Sequence, residues 1–154
     1  MELLDGALSG QGSRLFMRIR DELGLCYYVG AYELLGLEPG FFAFYVGTTP
    51  DKVGTCEKEI FAEVDKLIAD GLTAAELERS KNNLIGQRKV SMQDNGQLAM
   101  MVGLDELYGL GYDFYKSMDA NYRAVTVDDI KRIANKYFAD KPHAVVVVKP
   151  SPKP

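Results

Sequence analysis

Two adjacent segments with strand character constrain the fold of this chain more than any other feature of its sequence. Residues 26–35 are rich in tyrosine and valine, and residues 41–46 are rich in aromatic side chains, a composition typical of β-strands. Residues 36–40 between them contain two glycines and a proline, which predicts a hairpin loop. Both segments are apolar on both faces near their middles, so we expect a sheet with little exposed surface.

Helical periodicity of apolar residues accounts for most of the remaining chain. Ahead of the hairpin it predicts helices over residues 3–8 and 13–23, with Ser13 as the N-cap of the second. The apolar stripe of that second helix comprises Leu15, Phe16, Ile19 and Leu23. Behind the hairpin the predicted helices are 50–71, 73–91, 97–107, 114–122 and 126–138. Thr73 and Glu76 form a capping-box pattern.

The predicted strands are too few for the helices around them. A β-branched run at residues 144–148 predicts one further, buried strand, and residues 150–154 form a proline-rich tail that we expect to be disordered. Three strands leave much of the helical apolar surface uncovered, so we expect another strand ahead of Met1. The prediction is an α+β domain over residues 1–149, in which a mixed, mainly antiparallel sheet packs against several helices.

Charge and hydropathy exclude several kinds of partner. The chain has 18 basic and 22 acidic residues and a formal net charge of -4. Binding to a nucleic-acid backbone demands clustered lysine and arginine, so we expect no nucleic-acid partner. No apolar run approaches the length of a membrane span, so we expect no membrane insertion. Cys26 and Cys56 are expected to be free thiols, since two cysteines in a chain of this length do not form a disulfide framework.

The sequence does not contain the ligands of a metal site. A zinc peptidase needs two histidines on one helix face with a glutamate beside them, whereas this chain has a single histidine, His143. Because His143 follows a proline and precedes the predicted last strand, it reads as a loop or strand-edge residue. No cysteine pair has zinc spacing either. We therefore expect no metal bound by this chain.

Arg20 and Tyr27 are the candidate chemical pair. Arg20 lies near the end of a predicted helix and Tyr27 at the start of the next strand, and Gly24 between them permits a turn that brings both side chains to one point. A guanidinium and a phenol that converge there are donors for a developing oxyanion. The residue pattern alone favours a solvated helix face and an unrelated strand tyrosine, since exposed charge is common. The donor pair is the alternative.

A family resemblance is carried by residues 13–29, which read SRLFMRIRDELGLCYYV. This stretch resembles the signature of the C-terminal half of pitrilysin-type metallopeptidases, the family of insulin-degrading enzyme and mitochondrial processing peptidase. Residues 1–12, 72–82 and 126–138 also resemble the corresponding family segments. The likeness covers the chain to about Lys149.

The resemblance implies a metallohydrolase-like half-domain that the family uses in duplicate. The N-terminal half binds zinc through His-x-x-Glu-His and a distal glutamate, so zinc is expected in a partner half, in cis or in trans. Arg20 and Tyr27 match the positions that contact substrate and transition state. Gly10, Gly12 and Ser13 are predicted to contact the peptide substrate.

We therefore predict the C-terminal half of a zinc-dependent endopeptidase that is not active alone. The alternative is a non-catalytic peptide-binding or scaffold subunit of the same fold, in which the loop 10–12 and the aromatic strand 41–45 hold peptides. A sheet edge left open by a missing strand predicts a homodimer or a partner-covered edge, formed by strand addition. Bacterial members of the family occur in cytoplasm and periplasm; we favour the cytoplasm, with the periplasm as the alternative.

Overall fold

The computed structural model describes residues 1–34 and 40–149 and confirms the α+β class. A π-helix, Phe16–Glu22, leads into an antiparallel hairpin of β1, Cys26–Leu34, and β2, Phe41–Thr48. The α-helices are α1 Glu2–Leu8, α2 Val53–Asp70, α3 Ala74–Ser91, α4 Asn95–Leu107, α5 Met118–Ala124 and α6 Val127–Phe138. Short 3₁₀ turns cover Pro50–Lys52 and Phe114–Ser117. The predicted loop before Gly40 and the predicted tail lie outside the described residues.

The hairpin buries only one of its two faces. Side chains alternate between the faces of a strand, and Phe42 and Phe44 of β2 pack on Phe138 of α6 with ring centres 5.2 and 5.9 Å apart. Val29 and Ala31 of β1 are buried on this same inner face. The outer face carries exposed aromatic rings. The prediction of a sheet with little exposed surface is therefore wrong, because the helices that contact the hairpin cover its inner face.

Helix α1 lies at the centre of the core. Its buried residues are Leu3, Leu4, Ala7 and Leu8. The helix packs between β1 and α3, and the hydroxyl of Ser80 in α3 donates a 2.7 Å hydrogen bond to the carbonyl of Leu3. Each fully buried leucine contributes about 2 kcal/mol through removal of apolar surface from water. The predicted short helix is thus confirmed, and it joins the hairpin to the helical layer.

The capping residues predicted at the start of α3 and at the end of α2 are confirmed. The Thr73 hydroxyl accepts from the Glu76 N–H at 3.2 Å, and the Glu76 carboxylate accepts from the Thr73 N–H at 2.8 Å. Gly71 ends α2 with φ 78°, in the left-handed region that favours glycine. Thr126 and Asp129 form an equivalent capping box at α6.

The predicted strand at residues 144–148 is wrong. The segment belongs to no strand or helix, and Val146 and Val148 are 82% and 92% exposed. After Asp140, which has φ 53°, the chain runs past α2, where the ring of His143 lies 4.9 Å from that of Phe61. A β-branched run becomes a strand only where it meets a free sheet edge. Among the described residues the sheet consists of β1 and β2 alone, and the segment pairs with neither.

Candidate functional site

Arg20 lies on a π-helix rather than on the predicted α-helix. The wide turns show in the backbone hydrogen bond from Leu23 N–H to Arg18 C=O (3.2 Å), which reaches back five residues. A bond from Leu25 N–H to Ile19 C=O (3.0 Å) then closes over Gly24 at the helix end. Ile19 is fully buried and anchors the helix, whereas Leu23 is 37% exposed. The prediction that Leu23 shares the apolar stripe with Ile19 is thus wrong, because the wider turns of a π-helix rotate Leu23 around the helix axis. π-Helical segments are rare and concentrate at functional sites.

Two local distortions direct Tyr27 away from the core. Gly24 has φ 59°, a left-handed conformation that lets the chain reverse between helix and strand. Tyr27 itself has no partner in the strand register, although Cys26 and Tyr28 on either side are paired, so it is the extra residue of a β-bulge. Bulges re-aim side chains and are common beside active sites. Tyr27 is accordingly 78% exposed.

The guanidinium of Arg20 lies close to two aromatic rings. Its central carbon is 4.7 Å from the ring centre of Phe16, one turn earlier, and 5.4 Å from that of Tyr27. Such cation–π contacts contribute roughly 0.5–1 kcal/mol each at exposed sites and restrict the side chain. Within residues 1–34 and 40–149, no carboxylate forms an ion pair with Arg20. The structure therefore brings the predicted pair together at the surface.

The other arginines of this segment are engaged in holding it in place. Arg14 forms a bidentate pair with Glu76, at 2.9 and 2.8 Å, and also donates to the carbonyl of Gly71 at 3.1 Å. Arg18 pairs with Glu22 at 2.9 Å and with Glu59 at 3.2 Å. These contacts tie the segment to α3 and α2. The sequence did not distinguish these structural arginines from Arg20, because the contacts that tie them to α3 and α2 are made by Glu76 and Glu59, which lie 62 and 41 residues away.

The glycine loop borders a separate groove. Gly10, with φ 84°, and Gly12 lie on one side of a groove of about 600 Å³. Its opposite side is formed by Arg79, Asn82 and Asn83 of α3. Ser13 is 1% exposed, and its hydroxyl accepts from the Phe16 N–H at 3.2 Å. This confirms Ser13 as a helix cap and leaves its side chain no access to a peptide, so only Gly10 and Gly12 remain as candidate contacts.

The sequence missed Phe16 as a partner of Arg20. It assigned Phe16 only to an apolar stripe, yet the ring is half-buried and supports the guanidinium. The i, i+4 spacing of an aromatic residue and an arginine was the available signal, since such residues are neighbours on a helix surface.

Over the described ranges, no group of three or more His, Cys, Asp or Glu side chains is arranged to hold a metal ion. The ring of His143 packs at a tilt against that of Phe61, and the residue lies in a loop. The residues present therefore do not fit a zinc site. The same part of the chain contains no helix long and apolar enough to span a membrane.

Residues 1–84 match the family model described as the Peptidase M16 inactive domain. An uncharacterised zinc protease of Streptomyces coelicolor is 31% identical over 148 residues, covering 96% of this chain and 32% of that protein. An uncharacterised zinc protease of Bacillus subtilis is 28% identical over 153 residues, covering 97% and 36%. The chain thus spans about a third of the length of these relatives.

Solved structures share the fold. A protease from Helicobacter pylori superposes with a TM-score of 0.79 at 24% identity, over 90% of this chain and 34% of that chain. The peptidase M16 inactive domain from Pseudomonas fluorescens gives a TM-score of 0.74 at 24% identity, over 89% and 33%. These structures show that the fold is shared, and the family match identifies the class as a Peptidase M16 inactive domain. This chain belongs to the Peptidase M16 family.

Proposed function

We propose that this chain contributes Arg20 and Tyr27 as hydrogen-bond donors to a peptide-hydrolysis site whose zinc is held by another half-domain. The supporting observation is their convergence: a guanidinium without an ion-pair partner in the described chain lies 5.4 Å from the ring of an exposed tyrosine. Two unusual elements, a π-helix and a β-bulge, create this convergence. Relatives over nearly the whole chain are named zinc proteases.

The chemistry of the pair suits a carbonyl oxygen that gains negative charge. Arg20 offers several N–H donors in a fixed plane and Tyr27 offers a hydroxyl donor. Contact with Phe16 limits the rotamers of Arg20, so little conformational entropy remains to be lost when the substrate binds. Donors that are already in position stabilise a developing oxyanion more than its neutral precursor. When an opposing half-domain covers the pair and excludes water, the effect of both donors increases.

The alternative function is peptide binding or scaffolding without catalysis. The groove bordered by Gly10 and Gly12 favours this reading, since Arg79, Asn82 and Asn83 present polar groups to an open concave surface. The two functions differ in whether this chain alters the hydrolysis rate.

A reconstitution experiment separates them. Hydrolysis of a quenched fluorescent peptide is compared for this chain alone, for the zinc-binding half alone, and for the two assembled. The proposal predicts turnover only in the assembly, because neither half holds both the metal and the donors. Equal turnover by the zinc-binding half alone contradicts the proposal. An assembly that contains zinc and binds the peptide without cleaving it supports the scaffold alternative.

We also propose that the segment 144–148 forms a strand once a partner supplies a sheet edge. Its valines are exposed, and both β1 and β2 have only one neighbouring strand within the described residues. Unpaired β-branched segments and open edges are prone to strand addition. The partner is the zinc-binding half in the assembly, or a second copy when this chain is alone.

Replacing Val146 with proline is expected to weaken this association at least about fivefold, because proline removes a ladder donor and is excluded from central strands. Light scattering and sedimentation at several concentrations measure the change. Val90→Ala on the exposed surface of α3 is the control. A parent chain that stays monomeric at all concentrations and with the zinc-binding half contradicts the proposal.

A further inference from the structure

The outer face of the hairpin carries a continuous set of exposed aromatic rings. We name it the aromatic row; its members are Tyr27, Tyr28, Tyr45, Tyr32 and Phe41. Consecutive ring centres are 6.3, 6.1, 6.1 and 5.5 Å apart. All five residues are at least 41% exposed, although rings of this size normally bury much of their area. Exposed apolar side chains that form a contiguous patch are a feature of interaction sites, whereas single scattered ones are ordinary.

Two glycines let rings of the row lie against the strands. A Cβ atom on Gly30 would lie 2.8 Å from the Tyr45 hydroxyl oxygen and 3.1 Å from Cζ. A Cβ on Gly47 would overlap the ring of Tyr28. Each ring therefore covers a glycine of the opposite strand, as in aromatic rescue of glycines in sheets. The result is a low, ordered platform in which the rings have little freedom to lose on binding.

The aromatic row is continuous with the donor pair. Tyr27 is its first ring, and the guanidinium of Arg20 lies over that ring at 5.4 Å. From Tyr27 along β1 to Tyr32 and across to Phe41, the row extends roughly 20 Å, the length of about six extended residues. A ligand whose carbonyl oxygen accepts a hydrogen bond from Arg20 therefore has the row directly beside it.

We infer that the aromatic row binds the apolar side chains of an extended peptide whose backbone reaches Arg20 and Tyr27. This inference rests on the proposed function and names its substrate class: peptides with large apolar residues on one side of the cleaved bond. Nucleic-acid bases also stack on aromatic platforms, but a strand needs a basic groove to follow. The chain has a net charge of -4, and the cation–π contact described for the row is the one between Arg20 and Tyr27. An aromatic surface on a chain with net negative charge favours a peptide ligand over a nucleic acid.

Peptide binding to this chain can be measured without interference, because the chain contains no tryptophan. The probe is an eight-residue peptide with leucine and phenylalanine at alternate positions and one tryptophan, whose fluorescence is excited selectively. The comparison peptide replaces the leucines and phenylalanines with serine. The inference predicts a blue shift and saturable binding for the apolar probe, and affinity at least about tenfold weaker for the serine peptide.

The decisive variant is the double substitution Tyr32→Ser and Tyr45→Ser, which is expected to raise Kd for the apolar probe about tenfold. Tyr137→Ser on α6 is the matched control, since Tyr137 is 48% exposed and Tyr32 is 46% exposed; its Kd is expected to stay within twofold. Tyr32→Phe and Tyr45→Phe retain the rings and are expected to bind like the parent. Circular dichroism of every variant verifies the fold.

The outcomes separate this inference from the proposed function. An unchanged Kd in the folded double-serine variant overturns the aromatic row, even where Arg20→Ala still slows hydrolysis by the assembly. A Kd raised tenfold supports the row, even where Arg20→Ala leaves hydrolysis unchanged and the proposed function fails. Self-association of the parent that the double-serine variant abolishes, without saturable peptide binding, assigns the surface to a second copy and overturns the inference.

Discussion

Arg20→Ala is expected to slow peptide hydrolysis by the assembled protein on the order of 10²–10³-fold, while the zinc content stays unchanged. The guanidinium is expected to contact the carbonyl oxygen that becomes negative in the transition state, so its loss raises the barrier more than it weakens substrate binding. The change therefore falls mainly on kcat rather than on KM. Steady-state kinetics and metal analysis of the purified assembly measure both quantities.

Tyr27→Phe tests the second donor without removing its ring. The cation–π contact with Arg20 is retained, so only the hydroxyl is lost, and a fall in kcat of similar order is expected. Glu22→Gln is the control on the same helix: Glu22 is 58% exposed and makes an i,i+4 pair with Arg18. Its loss leaves the Arg18–Glu59 contact to α2 in place and is expected to change kcat less than about twofold. Unchanged kcat in both Arg20→Ala and Tyr27→Phe would refute the roles proposed for the pair.

The residue pattern alone allowed the meeting of Arg20 and Tyr27 without favouring it, and the family resemblance made it the prediction; the meeting itself depends on local chain geometry. A helix end, a glycine and a strand start lie within eight residues, and Gly24 adopts the predicted left-handed turn. The π-helix and the β-bulge were not predictable in the same way. Both shift the register by one residue, and their stability depends on what Ile19 buries against and which residues of β2 pair with β1. They nevertheless determine where the two donors point.

The wrong predictions for the faces of the hairpin and for the segment 144–148 concern surfaces whose burial depends on which other elements pack against them. The hairpin reads as apolar on both faces, and only the structure shows that Phe42 and Phe44 face the core while Phe41 and Tyr45 face outward. Composition alone does not distinguish an exposed aromatic side chain at a binding surface from one that packs in the core. The segment 144–148 fails for the same reason, since a strand is defined by its neighbour and not by its own residues.

The ion pair that fixes the start of the donor segment should make stability depend on acid pH. Burial alone raises the pKa of Glu76, but hydrogen bonds from Arg14 and from Thr73 outweigh it and lower the pKa from 4.5 to about 2. The unfolded chain therefore takes up the proton first as the pH falls. Stability from this group is complete above pH 4.5 and is lost between about 4.5 and 2.

Glu76→Gln is expected to lower the free energy of unfolding at pH 7 by about 2–3 kcal/mol. The side chains of Arg14 and Glu76 are only 15% and 14% exposed, so water replaces the lost carboxylate poorly. Denaturant unfolding at pH 7, 4.5 and 3 measures the change, and the deficit is expected to shrink toward low pH as the parent carboxylate becomes protonated. Glu22→Gln, whose side chain is 58% exposed, is the control, with an expected change below about 0.5 kcal/mol.

A deficit that is equal at every pH would contradict this account, because it would mean that Glu76 acts through packing rather than through charge. The pair also connects stability to the donor site. Arg14 reaches the carboxylate of α3 and the carbonyl of Gly71 at the end of α2, and it precedes the π-helix that carries Arg20. Loosening this anchor is therefore expected to reduce kcat in the assembly even under conditions where the Glu76→Gln variant is fully folded, since oxyanion donors act only when held in position.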